Sequence, residues 1–156
     1  MQEHVAVQSK GHVQRETRRI GKRILLQRTG EEMNTSKLNG RRIDGDHVTK
    51  ILFVCHGNIC RSTMAQYVMQ DLVEKNGLAD SFVIDSAATS TEEIGNPVDP
   101  RTRRKLQQEG IHYGNHRARQ MTRADYENFN YLIGMDHNNL RNMMRMLKND
   151  PLGKVS

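Results

Sequence analysis

The chain has no tryptophan, only two cysteines, and aromatic side chains at just 4% of its 156 residues. Two cysteines exclude a small secreted scaffold stapled by disulfides. Its apolar runs are only a few residues long, which excludes a transmembrane helix and a signal-peptide core. Internal repeats and low-complexity tracts are missing as well. These absences point to a soluble, cytoplasmic chain with no membrane partner. Its length suits one domain that buries roughly two thirds of its unfolded surface.

Charge is plentiful but unevenly placed. The formal net charge is +6, which for a whole protein would suggest nucleic acid or an acidic surface as partner. Residues 1–50 hold 11 Lys and Arg against 6 Asp and Glu, whereas residues 51–156 hold 13 against 12. The basic character therefore belongs to the first third, which has few apolar residues and no aromatic one. Only Arg15 to Arg28 offers a short amphipathic helix. Such a segment buries too little to offset its ordering entropy. Residues 1–47 are read as a disordered basic extension. An arm for nucleic acid or a membrane surface is a weaker alternative, and a leader translated from a misassigned upstream start is a third. The compact domain is expected over 48–156.

Inside that domain a strand, a loop and a helix follow one another directly. Ile51-Leu52-Phe53-Val54 is a continuous apolar run, as in a strand buried on both faces. From Thr63 to Glu74, Met64, Ala65, Val68, Leu72 and Val73 recur at helical spacing, and Asn76-Gly77 stops the helix. The first-turn amides of a helix lack intrahelical partners and attract anions. A loop holding Gly57 and Asn58, both tolerant of unusual φ, can curl its amides into a nest around a phosphate. Arg61 at one lip can grip two phosphate oxygens. Cys55 at the other lies in the same positive field, which favours its thiolate. Cys55 is thus a candidate nucleophile, and Ser62 can donate a hydroxyl to its sulfur. A lone cysteine is more often a small core residue, but C-x5-R-S directly after a buried strand argues for chemistry. Cys60 is either a packed loop thiol or a partner for a reversible disulfide with Cys55. C-x4-C without a second pair is not a zinc site, and no metal is expected.

The run Val54-Cys55-His56-Gly57-Asn58-Ile59-Cys60-Arg61-Ser62 resembles the signature loop of the low-molecular-weight protein tyrosine phosphatases. Further segments are similar in the right order: 82–89, Asn96-Pro97-Val98-Asp99-Pro100-Arg101, His116-Arg117-Ala118-Arg119-Gln120, and 131–136. The resemblance implies an α/β three-layer sandwich on a four-stranded parallel sheet, with the phosphate-binding loop (56–62) after the first strand. The residue pattern agrees, with strands at 51–54, 81–85 and 130–135 and helices at 62–75, 99–109 and 137–147. The resemblance further implies hydrolysis of phosphomonoesters, on phosphotyrosine proteins or small aryl phosphates, through a cysteinyl phosphate on Cys55. Arg61 and the loop amides would hold the oxygens, inorganic phosphate would be the product, and no cofactor is needed. Asn58, Ser62, Ser86 and His116 would buttress the loop.

Such a family also uses an Asp-Pro general acid after the fourth strand. Asp99-Pro100 reads as the start of helix 99–109. Asp150-Pro151 precedes Lys154-Val155, where a fourth strand would start, so Asp150 is disfavoured as the acid. The fourth strand, acid loop and last helix are expected to be missing, with the outer edge of the third strand left bare and activity impaired. Thr91-Glu92-Glu93 offers no aromatic wall for a substrate. The alternative is a phosphate-binding fragment without efficient turnover. Arsenate reduction needs cysteines after Cys60, and phosphoarginine hydrolysis favours Thr at the position of Ile59, so both are less favoured.

Overall fold

The computed structural model describes Arg15, Arg19 and residues 48–156. The expected basic extension therefore lies outside the described residues, apart from those two arginines. Strand β1 (Thr49–Cys55) leads into helix α1 (Arg61–Lys75), a 3-10 turn (Ala79–Ser81) and strand β2 (Phe82–Ala88). Helices α2 (Pro100–Gln108) and α3 (Arg123–Asn128) follow, then strand β3 (Tyr131–Gly134) and helix α4 (His137–Leu147).

The strands form a parallel sheet in the order β2-β1-β3. Central β1 is covered on both sides, which explains its unbroken apolar run. Ile51 and Phe53 face one core with Met64, Val68, Ile84 and Leu106, from α1, β2 and α2. Leu52 and Val54 face the other with Tyr126, Leu132, Met143 and Leu147, from α3, β3 and α4. Alternation along a strand sends successive side chains to opposite faces, so one run serves two helical layers. The three-layer α/β architecture is as expected from the sequence.

Helix ends follow local chemistry. Asp99 caps α2, its carboxylate accepting from the amides of Arg101 (2.9 Å) and Thr102 (3.3 Å), with Pro100 in the first turn. Gly77, at φ 68°, closes α1 in the left-handed region where glycine carries no steric cost. Two differences from the sequence reading stand out. Helix α3, only six residues long, went unrecognised because one and a half turns carry no clear period; Thr122 and Asp125 start it as a capping box. β2 also runs on to Ala88, since all seven of its residues pair with β1.

The outer edge of β3 is not bare, contrary to expectation. Leu132 N–H donates to Lys154 O (2.9 Å), Ser156 N–H to Leu132 O (3.0 Å), and Gly134 N–H to Ser156 O (2.8 Å). Lys154 to Ser156 thus lie where a fourth parallel strand would begin, bridged at Val155 to Leu132. Among the described residues, no helix is long and apolar enough to cross a membrane.

Candidate active site

The parallel strands end together, and that end holds the loop singled out by sequence. Cys55 is the last residue of β1 and is 3% exposed. Residues 56–60 curl from it to the first turn of α1. The loop's carbonyls turn outward: Cys55 O accepts from Thr89 N–H (2.8 Å), His56 O from Ser90 N–H (3.0 Å), and Ile59 O from Asp99 N–H (2.9 Å). His116 Nε2 lies 2.7 Å from Asn58 O, and because a carbonyl only accepts, the His116 proton sits on Nε2. These bonds draw the carbonyls of Cys55, His56, Asn58 and Ile59 to the surrounding segments. Asn58 N–H reaches Cys55 Sγ at 3.3 Å. Nest-like amides of this kind, at a helix N-terminus, suit a bound oxyanion.

Asn58 is the buried pivot. It has no exposure and takes φ 58°, a left-handed conformation that Asn tolerates better than most residues. Its Nδ2 donates to Ser62 Oγ (3.0 Å) and Ser86 Oγ (2.8 Å). Its Oδ1 accepts from Arg119 N–H (3.1 Å). Ser86 donates in turn to Gln66 Oε1 (2.6 Å), and Ser62 Oγ lies 3.0 Å from Cys55 Sγ. Asn58, Ser62, Ser86 and His116 thus form one hydrogen-bonded group beside Cys55. Burial pulls the His116 pKa below its ordinary value, although its bond to Asn58 opposes this, so the ring favours the neutral form.

Arg61 opens α1 at the end of the loop and pairs with Asp136. Asp136 follows β3 and caps α4 by accepting from Asn139 N–H (2.7 Å). Gly134 permits this approach: a Cβ there would stand 2.8 Å from Leu140 Cδ2 of α4. Burial alone would raise the Asp136 pKa, but Arg61 and the α4 amides outweigh it and hold the carboxylate below its ordinary value. Asp136 therefore anchors Arg61 as an anion, and the five donors of a guanidinium leave others for a phosphate. Sequence reading gave Asp136 no role. The signal available was its place between the strand expected at 130–135 and the helix expected at 137–147.

The flanking segments are tied in as well. Cys60 is a free thiol that accepts from Thr102 Oγ1 (3.2 Å) of α2. His56 Nε2 pairs with Glu92 Oε2 at 3.0 Å on the exposed rim. Gly57 packs beside Glu93, where a Cβ would stand 3.1 Å from Cγ. The rim thus carries two carboxylates, Glu92 and Glu93. Arg119, also unassigned by sequence, pairs with Asp85 and Asp125.

Asp150 lies elsewhere. Lys154 N–H and Val155 N–H donate to its two oxygens (2.8 and 3.0 Å), and Tyr126 OH donates as well (2.7 Å). Since Lys154 to Ser156 run parallel beside β3, Asp150 precedes them at the amino end of the sheet, opposite Cys55. Burial would raise its pKa, but these donors outweigh it and lower the value. Among the described residues no group of three His, Cys, Asp or Glu is placed to hold a metal ion. A cleft of about 570 Å³ between the second half of α1 and the 110–114 turn shares no residue with the 55–62 loop.

The family model for low molecular weight phosphotyrosine protein phosphatase matches residues 50–156. The chain is 44% identical over 117 residues to the phosphatase of that name from Dictyostelium discoideum, covering 67% of this chain and 65% of the relative. It is 50% identical over 95 residues to the one from Rattus norvegicus, covering 61% and 60%. It thus spans less than two thirds of the length of these curated relatives. Among solved structures, Bacillus subtilis YfkJ superposes with a TM-score of 0.68 at 36% identity, over 75% of this chain and 71% of that one. SP-PTP, a low molecular weight protein tyrosine phosphatase from Streptococcus pyogenes, gives 0.65 at 38% identity, over 69% and 70%.

Proposed function

Because the chain belongs to the low molecular weight phosphotyrosine protein phosphatase family, we propose that it hydrolyses phosphotyrosine-type monoesters through a cysteinyl phosphate on Cys55. The observation that carries the reading is the sulfur itself. It is buried at the end of β1, beneath the loop amides, with a backbone N–H and the Ser62 hydroxyl within reach. An anionic sulfur in that setting is stabilised by dipoles already in place.

In the first step the S–P bond forms as the ester P–O bond breaks, and the leaving oxygen departs as a phenolate or takes a proton from water. In the second, water attacks phosphorus, the S–P bond breaks, and inorganic phosphate departs. Arg61 and the loop amides neutralise the equatorial oxygens through both steps. Ser62 supports the sulfur as nucleophile and then as leaving group. Asp150 is not the proton donor: it sits at the far end of the sheet with a lowered pKa. Asp136 is near Arg61 but is held as an anion. A general acid is typically worth about 10²–10⁴-fold, so substrates with good leaving groups depend least on one.

The substrates proposed are phosphotyrosine proteins and small aryl phosphates, with no membrane or nucleic-acid partner. The folded unit is 48–156, and two free thiols fit a reducing, cytoplasmic setting. The second reading, a phosphate-binding unit with little turnover, draws on the remote position of Asp150. Turnover of p-nitrophenyl phosphate by the chain and by Cys55→Ser tests the proposal. The variant should fall to background, and equal rates would overturn it.

A further inference from the structure

We propose that the Asp85–Arg119–Asp125 ion triad is a positioning clamp for the nucleophile loop, acting on Asn58 through the backbone amide of Arg119. The inference rests on the reading of Cys55 as the reacting thiol, and it concerns how the hydrogen bonds around that thiol acquire their direction.

The orientation of the Asn58 side chain follows from donor and acceptor rules. A backbone N–H can only donate, so Arg119 N–H, at 3.1 Å, requires an oxygen opposite it. That places Oδ1 toward Arg119 and sends both Nδ2 protons to Ser62 and Ser86. Ser86 passes its own proton to Gln66. Ser62 accepts from Asn58, which leaves its single proton for Cys55 Sγ, 3.0 Å away. A chain of aligned donors thus runs from Arg119 through Asn58 and Ser62 to the sulfur. Without the Arg119 amide at one end, nothing in this set selects that polarity over its reverse.

The amide is held from three sides. Ala88 N–H donates to Arg119 O (2.8 Å), joining the segment to the end of β2. Arg119 Nη2 donates to Asp85 Oδ2 (2.9 Å) of β2. Nη1 and Nη2 both reach Asp125 (3.0 and 3.1 Å), which is buried in the first turn of α3. A planar, two-armed cation suits this span, whereas a lysine ammonium offers no such fork. Burial works against the Arg119 charge, but its bonds to Asp125 and Asp85 outweigh that and raise its pKa. A single residue thereby couples β2 and α3 to the loop after β1.

The test is a double-mutant cycle between the clamp and its target. Asp125→Asn, Arg119→Lys and Asp85→Asn are each made in the full chain and in Asn58→Gly, which removes the side chain but tolerates the left-handed backbone. Two rates are read: alkylation of Cys55 by iodoacetamide, and kcat and KM for p-nitrophenyl phosphate. Asp125→Asn or Arg119→Lys should lower the alkylation rate and kcat about tenfold, with KM within about twofold; Asp85→Asn, on the more exposed arm, should cost less. In the Asn58→Gly background the same substitutions should change either rate by less than about twofold. A full tenfold loss in that background would overturn the clamp. So would an unchanged alkylation rate in the single variants. If Asp125→Asn fails to melt cooperatively, the Arg119→Lys cycle decides. Absence of turnover in the parent chain, with coupled alkylation rates, would sink the proposed function and leave the clamp standing.

Discussion

The two ends of the sheet hold similar residue types in different company. At the carboxyl end, Cys55, Asn58, Ser62 and Ser86 are all buried and hydrogen-bonded to one another. At the amino end, Asn130 merely splices two backbones, accepting from Lys50 N–H and donating its own amide to Lys50 O (2.8 and 2.9 Å). Each end also has an aspartate with a lowered pKa. Asp136 has an arginine at the end of the 55–62 loop; Asp150 has a tyrosine and two amides that hold the chain as it joins β3. The same carboxylate therefore positions a cation in one place and a turn in the other. Location in a parallel sheet, where open loops gather at the carboxyl ends, decides between them.

The comparison breaks most visibly at Arg61. Arg61→Ala should lower kcat for p-nitrophenyl phosphate about 10²–10³-fold and abolish thermal stabilisation by inorganic phosphate. A loss below about tenfold would mean that the loop amides alone carry the oxyanion charge. At the other end, Asp150→Asn should lower stability by about 1–3 kcal/mol, read from the urea midpoint, and leave kcat within about twofold. A kcat loss of 10²-fold would instead make Asp150 the proton donor and refute its assignment to the amino end.

Acid should separate two groups of side chains. The folded pKa of His116 lies below its ordinary 6.5, so the unfolded chain binds that proton first. Stability is then complete above about 6.5 and declines as pH falls toward the folded value. Asp99 and Asp136 have pKa values below their ordinary 3.8, so their stabilisation persists above 3.8 and is lost as pH falls through the folded values. Melting temperature against pH should show both steps. His116→Gln should lack the upper one, and an unchanged profile would exclude His116 as its source. The smallest effect belongs to the exposed His56–Glu92 pair on the rim. Glu92→Gln should alter stability by less than about 0.5 kcal/mol in thermal melts, because such exposed pairs are well screened.

Much of the site was legible because it is local. Cys55 to Ser62 are contiguous, and a buried strand, a glycine-bearing loop and a helix start need only neighbouring residues to be recognised. The Asp99 cap of α2 was legible for the same reason, since capping acts within three residues. Ser86 and His116 were reached through family resemblance rather than through local physics. Gln66, Arg119 and Asp136 were missed. They lie 8, 61 and 78 positions from Asn58, on a helix, a loop and a strand end that only folding brings together. The pairing of Lys154 to Ser156 on β3 was likewise read as a strand start without its consequence, that this edge is covered.

By itself the amino-acid order determined the alternation of strands and helices, the strand-loop-helix that carries Cys55 and Arg61, and the concentration of positive charge in the first fifty residues. These depend on periodicity and on groups adjacent along the backbone. Only the tertiary structure decided which aspartate meets Arg61, which amide orients Asn58, and why Asp150 stands apart from the thiol. Hydrogen bonds act over about 3 Å, and contacts between residues dozens of positions apart exist only once sheet register and helix packing have set their distances.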